Sequence, residues 1–139
     1  MRGSGEALRR EASFAPERGE TAAVLAFAEG FLSAAGCGEG CRRRWLVAVD
    51  EVFSNIAKYS SAREVRVECG TEGEMAVMRF SDDGRAFDPL EREAPPTDLP
   101  LEEREAGGLG ILIVRRLMDG VEFARAGGRN VLTLRKRIG

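Results

Sequence analysis

The stretches "REVRVEC" and "EMAVMRFSDDG", separated only by "GTEG", constrain the fold of this chain most. Val65, Val67 and Cys69 alternate with Glu64, Arg66 and Glu68, the period of a half-buried strand. In the second stretch Ala76, Met78, Phe80 and Asp82 share one face, with Val77, Arg79 and Ser81 on the other. The short connection makes the two an antiparallel hairpin whose apolar face requires a covering layer. Asp82 continues that largely apolar row. An ionised carboxylate left unpaired in a core is expensive, so Asp82 needs a partner. A purine exocyclic amine is one candidate, and a strand-end cap of its own turn through "DDG" is the other.

The covering layer is written in helical period. After "ALRREASF", which reads as a first strand, Pro16 opens a pattern with Val24, Phe27, Ala28, Phe31 and Leu32 at helical spacing, ended by Gly36, Gly38 and Gly40. A second helix is expected over about 42–59, with Trp45, Val49, Val52, Phe53 and Ile56 on its apolar arc. Its other face gathers Glu51, Asn55 and Lys58 within a narrow sector at about 100° per residue. That sector reads either as a solvated face with an i,i+4 polar pair or as part of a site. Asn55 offers an uncharged oxygen suited to a hard cation such as Mg²⁺, and Glu51, one turn earlier, can polarise a nearby water or hydroxyl.

Beyond the hairpin, 88–107 holds four of the five prolines and no periodicity, which marks a long loop of the lid or binding type. "GGLGILIVRRLMD" then opens a third helix on glycines. Gly108, Leu109 and Gly110 bring the backbone close to a ligand and present orphan N–H groups to an anion, unless they merely permit a sharp turn. No third glycine of a dinucleotide fingerprint and no G-K-[ST] follows. A closing hairpin over "VEFARAGGRNVLTLRKRIG" turns at "AGGRN", with Leu132 and Leu134 facing in. The expected fold class is α+β: a two-layer sandwich of a mixed, mostly antiparallel sheet of about five strands with three helices on one face.

Length and charge exclude several classes. With 139 residues and 43% hydrophobic content, one domain over 1–139 is expected. Lys+Arg 21 against Asp+Glu 23 gives a net charge of −2 with both signs interspersed, so no general attraction to nucleic acid or anionic membrane arises. No segment reads as a signal peptide or membrane span, and a cytoplasmic location is expected. The three cysteines, Cys37, Cys41 and Cys69, fit reduced thiols, and "CGEGC" lacks the spacing of a zinc site. Histidine is absent, which removes every Ser-His or Cys-His arrangement. A catalytic base must be a carboxylate, Lys, Tyr or Cys.

Taken in order, E-x-x-x-N on a helix, D-x-G-x-x-F-D at a strand end and a long lid closing with G-G-L-G before a helix resemble the GHKL ATPase superfamily. Within it, "DDGRAFDPL", "PLEEREAGGLGILIVRRLMDGVEF" and "GGRNVLTLRKRI" look like the anti-sigma-factor serine/threonine kinases. The resemblance spans nearly the whole chain and implies a Bergerat-type ATP-binding fold with an ATP lid at about 88–108. It implies ATP and Mg²⁺, with Glu51 as the general base and Asn55 as the metal ligand. Asp82 then binds the adenine amine, Gly84 gives the base room, and Gly108, Leu109 and Gly110 belong to the phosphate-binding lid. Lys58 and Ser54 are lesser phosphate contacts, and Arg104 is the lid arginine expected near the γ-phosphate. Ala86 departs from the second glycine of many members. The implied partners are an antagonist protein as phosphorylation substrate, a sigma factor and a second copy in a homodimer. A regulatory ATP-binding module without phosphoryl transfer is the alternative, which would need no Glu51; the detached catalytic domain of a histidine kinase is a third reading.

Overall fold

The computed structural model describes residues 8–86 and 108–139. Strand β1 (Arg9–Phe14) is followed by a 3-10 turn, then α1 (Thr21–Ala34), α2 (Glu39–Tyr59), β2 (Val65–Glu72) and β3 (Met75–Asp82). Helix α3 (Gly108–Leu117), β4 (Gly120–Ala126) and β5 (Arg129–Arg137) complete the fold. The five strands form one sheet in the order β1-β2-β3-β5-β4. The α+β sheet of five strands under three helices is as expected, and every pairing is antiparallel, where the expectation was a mixed, mostly antiparallel sheet. Hairpins join β2 to β3 and β4 to β5, so those neighbours run antiparallel by connection alone. The expected lid lies outside the described residues except for Gly108.

Register follows from the side-chain period of two. Reading across the sheet, Arg10, Cys69, Met78, Leu134 and Val121 make one row, and Ala12, Val67, Phe80, Leu132 and Phe123 the next. Val67, Met78, Phe80, Leu132 and Leu134 join the buried cluster with residues of all three helices. Each large apolar side chain taken from water there contributes about 1.5–3 kcal/mol. The third row begins with Phe14 and Val65, then turns polar at Asp82, Asn130 and Arg125. This polar end of an apolar face is where the fold departs from a plain core.

Helix α2 is the central cover. Trp45, Ala48, Val49, Val52, Phe53 and Ile56 recur at three- and four-residue intervals and are all buried. Glu39 in its first turn and Lys58 in its last complement the helix dipole. The helix starts earlier than its apolar pattern, so Gly40 lies inside it and does not end α1. The chain turns instead at Gly36, whose φ of 85° is open to glycine without a Cβ penalty. No helix among the described residues is long and apolar enough to cross a membrane.

Cysteine usage corrects the sequence reading. Cys37, just past α1, and Cys41, in the first turn of α2, form a disulfide with Cα atoms 5.8 Å apart. Helix α2 begins at Glu39, so its first turn swings Cys41 back towards Cys37; residue spacing alone gave no such approach. Cys69 stays free and buried on β2, and burial pushes its thiol up to about 12, against a smaller opposing pull from Arg10. A thiol titration in mildly alkaline buffer is therefore expected to find no reactive group in the folded chain. After denaturation without reductant it should find one, Cys69, since Cys37 and Cys41 are paired. Three reactive thiols would show that the disulfide is absent.

Candidate functional site

The site grows from the end of β3. Asp82, 3% exposed, pairs directly across the sheet with Asn130 on β5, which is equally buried. Asn130 donates from Nδ2 to Asp82 Oδ1 at 3.0 Å and to the Arg85 carbonyl at 2.7 Å. The Gly84 N–H also reaches Asp82 Oδ1, at 2.9 Å. Two hydrogen bonds to one oxygen offset much of the cost of burying the carboxyl. Among the described residues none is recorded to Oδ2, which leaves that oxygen for a ligand donor. Arg125 closes the cluster, its Nη1 donating to the Gly84 carbonyl at 2.9 Å and to Asn130 Oδ1 at 3.0 Å.

Asp82 and Asn130 line a pocket whose other walls are Val52, Asn55 and Ile56 of α2, Phe80, Ile111 of α3, Phe123 and Leu132. Asn55 is 8% exposed and makes no side-chain hydrogen bond among the described residues. Its position 40° round the helix from Glu51, towards Val52, turns it to the seam between the layers instead of the solvent. The pocket is thus apolar on most sides, with Asp82, Asn130 and Asn55 as its polar walls. Small-molecule sites commonly have this make-up: apolar walls give affinity and a few polar groups fix orientation.

The loop after β3 is locked to the end of α2. Arg85 donates its backbone N–H to the Ser60 carbonyl at 2.9 Å and its Nε to the Tyr59 carbonyl at 3.2 Å. A Cβ on Gly84 would collide with that Ser60 carbonyl oxygen and lie 3.0 Å from the Ala62 nitrogen. Gly84 is therefore required by this backbone contact, and it is not among the pocket walls. Asp83 points away and accepts the N–H groups of Arg63 and Glu64 at 2.8 and 3.1 Å. The Arg63 hydrogen bond is the largest cause and, with those of Glu64 and its own backbone and the charge of Arg129, holds the carboxyl below the usual range against the desolvation that opposes them.

The remaining residues singled out from sequence fall around this pocket. Glu51 is half-buried one turn before Asn55 and is not among the pocket walls. Burial, and secondarily the neighbouring Asp50, raises its pKa above the ordinary value. Ser54 is exposed and donates to Asp50 at 3.3 Å. Lys58 is exposed, with its Nζ 5.4 Å from the Tyr59 ring centroid. Gly108, Leu109 and Gly110 form the first turn of α3, directly before the pocket residue Ile111. Arg104 lies outside the described residues. Sequence reasoning missed Asn130 and Arg125; the alternation in "NVLTL", which puts Asn130 in line with Leu132 and Leu134, was the available signal.

A five-stranded antiparallel sheet under three helices, with a buried acid and an amide meeting at one pocket beside a helix start, defines a two-layer α+β sandwich with a small-molecule pocket between its layers. The model of the histidine kinase-like ATPase domain matches residues 14–136, and the chain belongs to that family of ATP-binding domains. Among curated proteins the chain is similar to the serine/threonine-protein kinase BtrW of Bordetella bronchiseptica, 33% identical over 99 residues. That match takes in 63% of this chain and 65% of the relative, so the chain spans somewhat less than two thirds of the relative's length. Among solved structures, the RsbU and RsbW domains of Rv1364c from Mycobacterium tuberculosis share the fold with a TM-score of 0.67 and 13% identity, over 94% of this chain and 32% of that one. The Acinetobacter baumannii histidine kinase AdeS shares it with a TM-score of 0.55 and 16% identity, over 94% of this chain and 68% of that one.

The Gly84 contact has a direct test. Gly84→Ala forces a methyl group against backbone atoms held by two hydrogen bonds, and overpacking of this kind costs about 1–3 kcal/mol. Urea unfolding is expected to show that loss with an unchanged m-value; a midpoint equal to that of the parent would mean the loop can shift freely.

Proposed function

We propose that this chain is an ATP-dependent serine/threonine protein kinase of the anti-sigma type, which phosphorylates a small antagonist protein and sequesters a sigma factor. The observation that carries the reading is the pair of Asp82 and Asn55, both buried and both facing one apolar pocket. A flat adenine ring suits walls of Val52, Ile56, Phe80 and Leu132, and its exocyclic amine suits Asp82 Oδ2. Similarity to a serine/threonine-protein kinase, and to a structure that includes an RsbW domain, supports the reaction class and the branch.

Each residue has a role in this reading. Asn55 would hold Mg²⁺ through its amide oxygen, and the ion would neutralise phosphate charge. Among the described residues no three acidic, Cys or His side chains converge as a metal cage. Backbone N–H groups at Gly108, Leu109 and Gly110, at the positive end of α3, receive phosphate oxygens. Arg104 and Lys58 supply further positive charge, and Gly84 lets the adenine loop sit against α2. Glu51 accepts the proton of the attacking Ser or Thr hydroxyl, and its raised pKa brings it nearer the pH at which a base must work. The reading includes one domain over 1–139 with a lid at about 88–108, a homodimer and a cytoplasmic location. A non-catalytic ATP module has one observation in its favour, that Glu51 stands outside the pocket walls. Incubation with ATP, Mg²⁺ and a purified antagonist, followed by analysis for phosphoserine and phosphothreonine, separates the two.

Adjacent aspartates should behave differently. Asp82→Ala removes a hydrogen bond to a charged group, worth about 1.5–3 kcal/mol, and is expected to weaken ATP binding tenfold to over a hundredfold. Asp83→Ala, which faces the Arg63 backbone, should leave ATP affinity unchanged; equal titrations for Asp82→Ala and the parent would defeat the adenine assignment.

Glu51 and Asn55 should fail in different ways. Asn55→Ala is expected to lose Mg²⁺-dependent ATP affinity together with activity. Glu51→Gln should bind ATP nearly normally and lose on the order of 10²–10⁴ in phosphoryl transfer. In the parent the rate should rise with pH as Glu51 loses its proton, along a limb above the ordinary glutamate value of about 4.3. Asp50→Asn should move that limb only slightly lower, since burial is the larger cause of the raised pKa. Parental phosphorylation by Glu51→Gln would rule out the kinase mechanism.

A further inference from the structure

We infer that Arg125 is a positioning residue for purine recognition, acting through Asn130 and the backbone of Gly84 to hold Asp82 with its second oxygen towards the pocket. The inference rests on the adenine reading of Asp82. Arg125 is not itself a pocket wall. It lies directly opposite Asn130 in the β4–β5 pairing, and Asn130 lies directly opposite Asp82 in the β3–β5 pairing. The three side chains therefore stand in one row across three strands.

The donor and acceptor pattern gives Arg125 a task. An asparagine amide can be turned over with almost no change of shape, exchanging its oxygen for its NH₂. In the observed orientation Nδ2 meets two acceptors, Asp82 Oδ1 and the Arg85 carbonyl, while Oδ1 meets the Arg125 guanidinium. Turned over, the amide would face oxygen to oxygen on one side and donor to donor on the other. Arginine can only donate, so it selects the orientation that lets Asn130 donate to Asp82. The same Nη1 bonds the Gly84 carbonyl, and the Gly84 N–H is the other donor to Asp82 Oδ1. Arg125 thus bonds both residues whose donors occupy Oδ1, Asn130 at its amide and Gly84 at its carbonyl. With that oxygen taken twice, Oδ2 is the acceptor presented to an exocyclic amine. A hairpin tie with no part in recognition would explain one of these bonds, but not their convergence on the two groups that hold Asp82.

A ligand lacking only the amine tests this. ATP and purine riboside triphosphate, which has hydrogen in place of the 6-amino group, are titrated with Mg²⁺ against the parent, Arg125→Met and Arg125→Lys, all as the full chain. The parent is expected to prefer ATP by about tenfold or more, the value of one charged hydrogen bond. Arg125→Met should cut that preference to about threefold or less while binding purine riboside triphosphate within about twofold of the parent. Arg125→Lys, which keeps one donor, should recover part of the preference. An undiminished preference in Arg125→Met would overturn the inference and leave the adenine reading intact. Equal weakening of both nucleotides would also overturn it, since a merely structural tie loses affinity without regard to the amine. A parent with no preference would overturn the adenine assignment of Asp82 and this inference together.

Discussion

The register of β3 against β5 is the constraint on which the site depends. Side chains alternate faces at every residue, so a one-residue slip of β3 would send Asp82 to the outer face and bring Ser81 inward, and a slip of β5 would exchange Asn130 for Val131 in the same way. Two features hold the register. Apolar partners Phe80 with Leu132 and Met78 with Leu134 are buried under the helices, and slipping would expose them all. The Gly127–Gly128 turn, with φ values of 60° and 75°, matches the two-residue hairpin favoured by the twist of antiparallel strands. Its fixed length sets Arg125 opposite Asn130, and the polar row follows.

The two layers meet where their polar groups meet. Asp82 comes from the sheet and Asn55 from α2, and neither element could build the pocket alone. Their separation depends on the junction of Ser60 with Gly84 and Arg85, where the end of α2 is hydrogen-bonded to the loop after β3. Side chains packed on this scale have little freedom, so the junction holds the amide and the acid in one geometry. Ser61 takes a left-handed φ of 59° beside it, an uncommon conformation for a non-glycine residue. The backbone strain sits at the joint between the layers.

Chemistry at the edge of a core benefits from low polarity. The walls of the pocket beside Asp82 are mostly apolar, so a hydrogen bond made there is stronger than in water, and an unpaired carboxyl is more costly. Glu51 stands at the boundary, half-buried, and that burial raises its pKa. Lys58 and Ser54, on the same helix, remain outside in solvent. One helix therefore passes from core to pocket to surface within little more than two turns.

Much of the fold was legible in the sequence because strands and helices differ in period: the alternation around Val67 and Phe80 and the 3.6 spacing around Val49 and Phe53 identify both layers and their inner faces. The E-x-x-x-N, D-x-G and G-L-G groupings were local enough to read, and so was the "AGGRN" turn. Sequence could not show that the Gly84 hydrogen atom faces the Ser60 carbonyl, 24 residues away along the chain. Nor could it show that Cys41 meets Cys37, that Asn130 and the Gly84 N–H occupy one oxygen of Asp82, or that Arg125 bonds Asn130 from behind. Periodicity assigns a residue to a face, which depends only on near neighbours. Which residues touch across strands and between layers depends on register and packing, and those exist only once the whole chain has closed on its core.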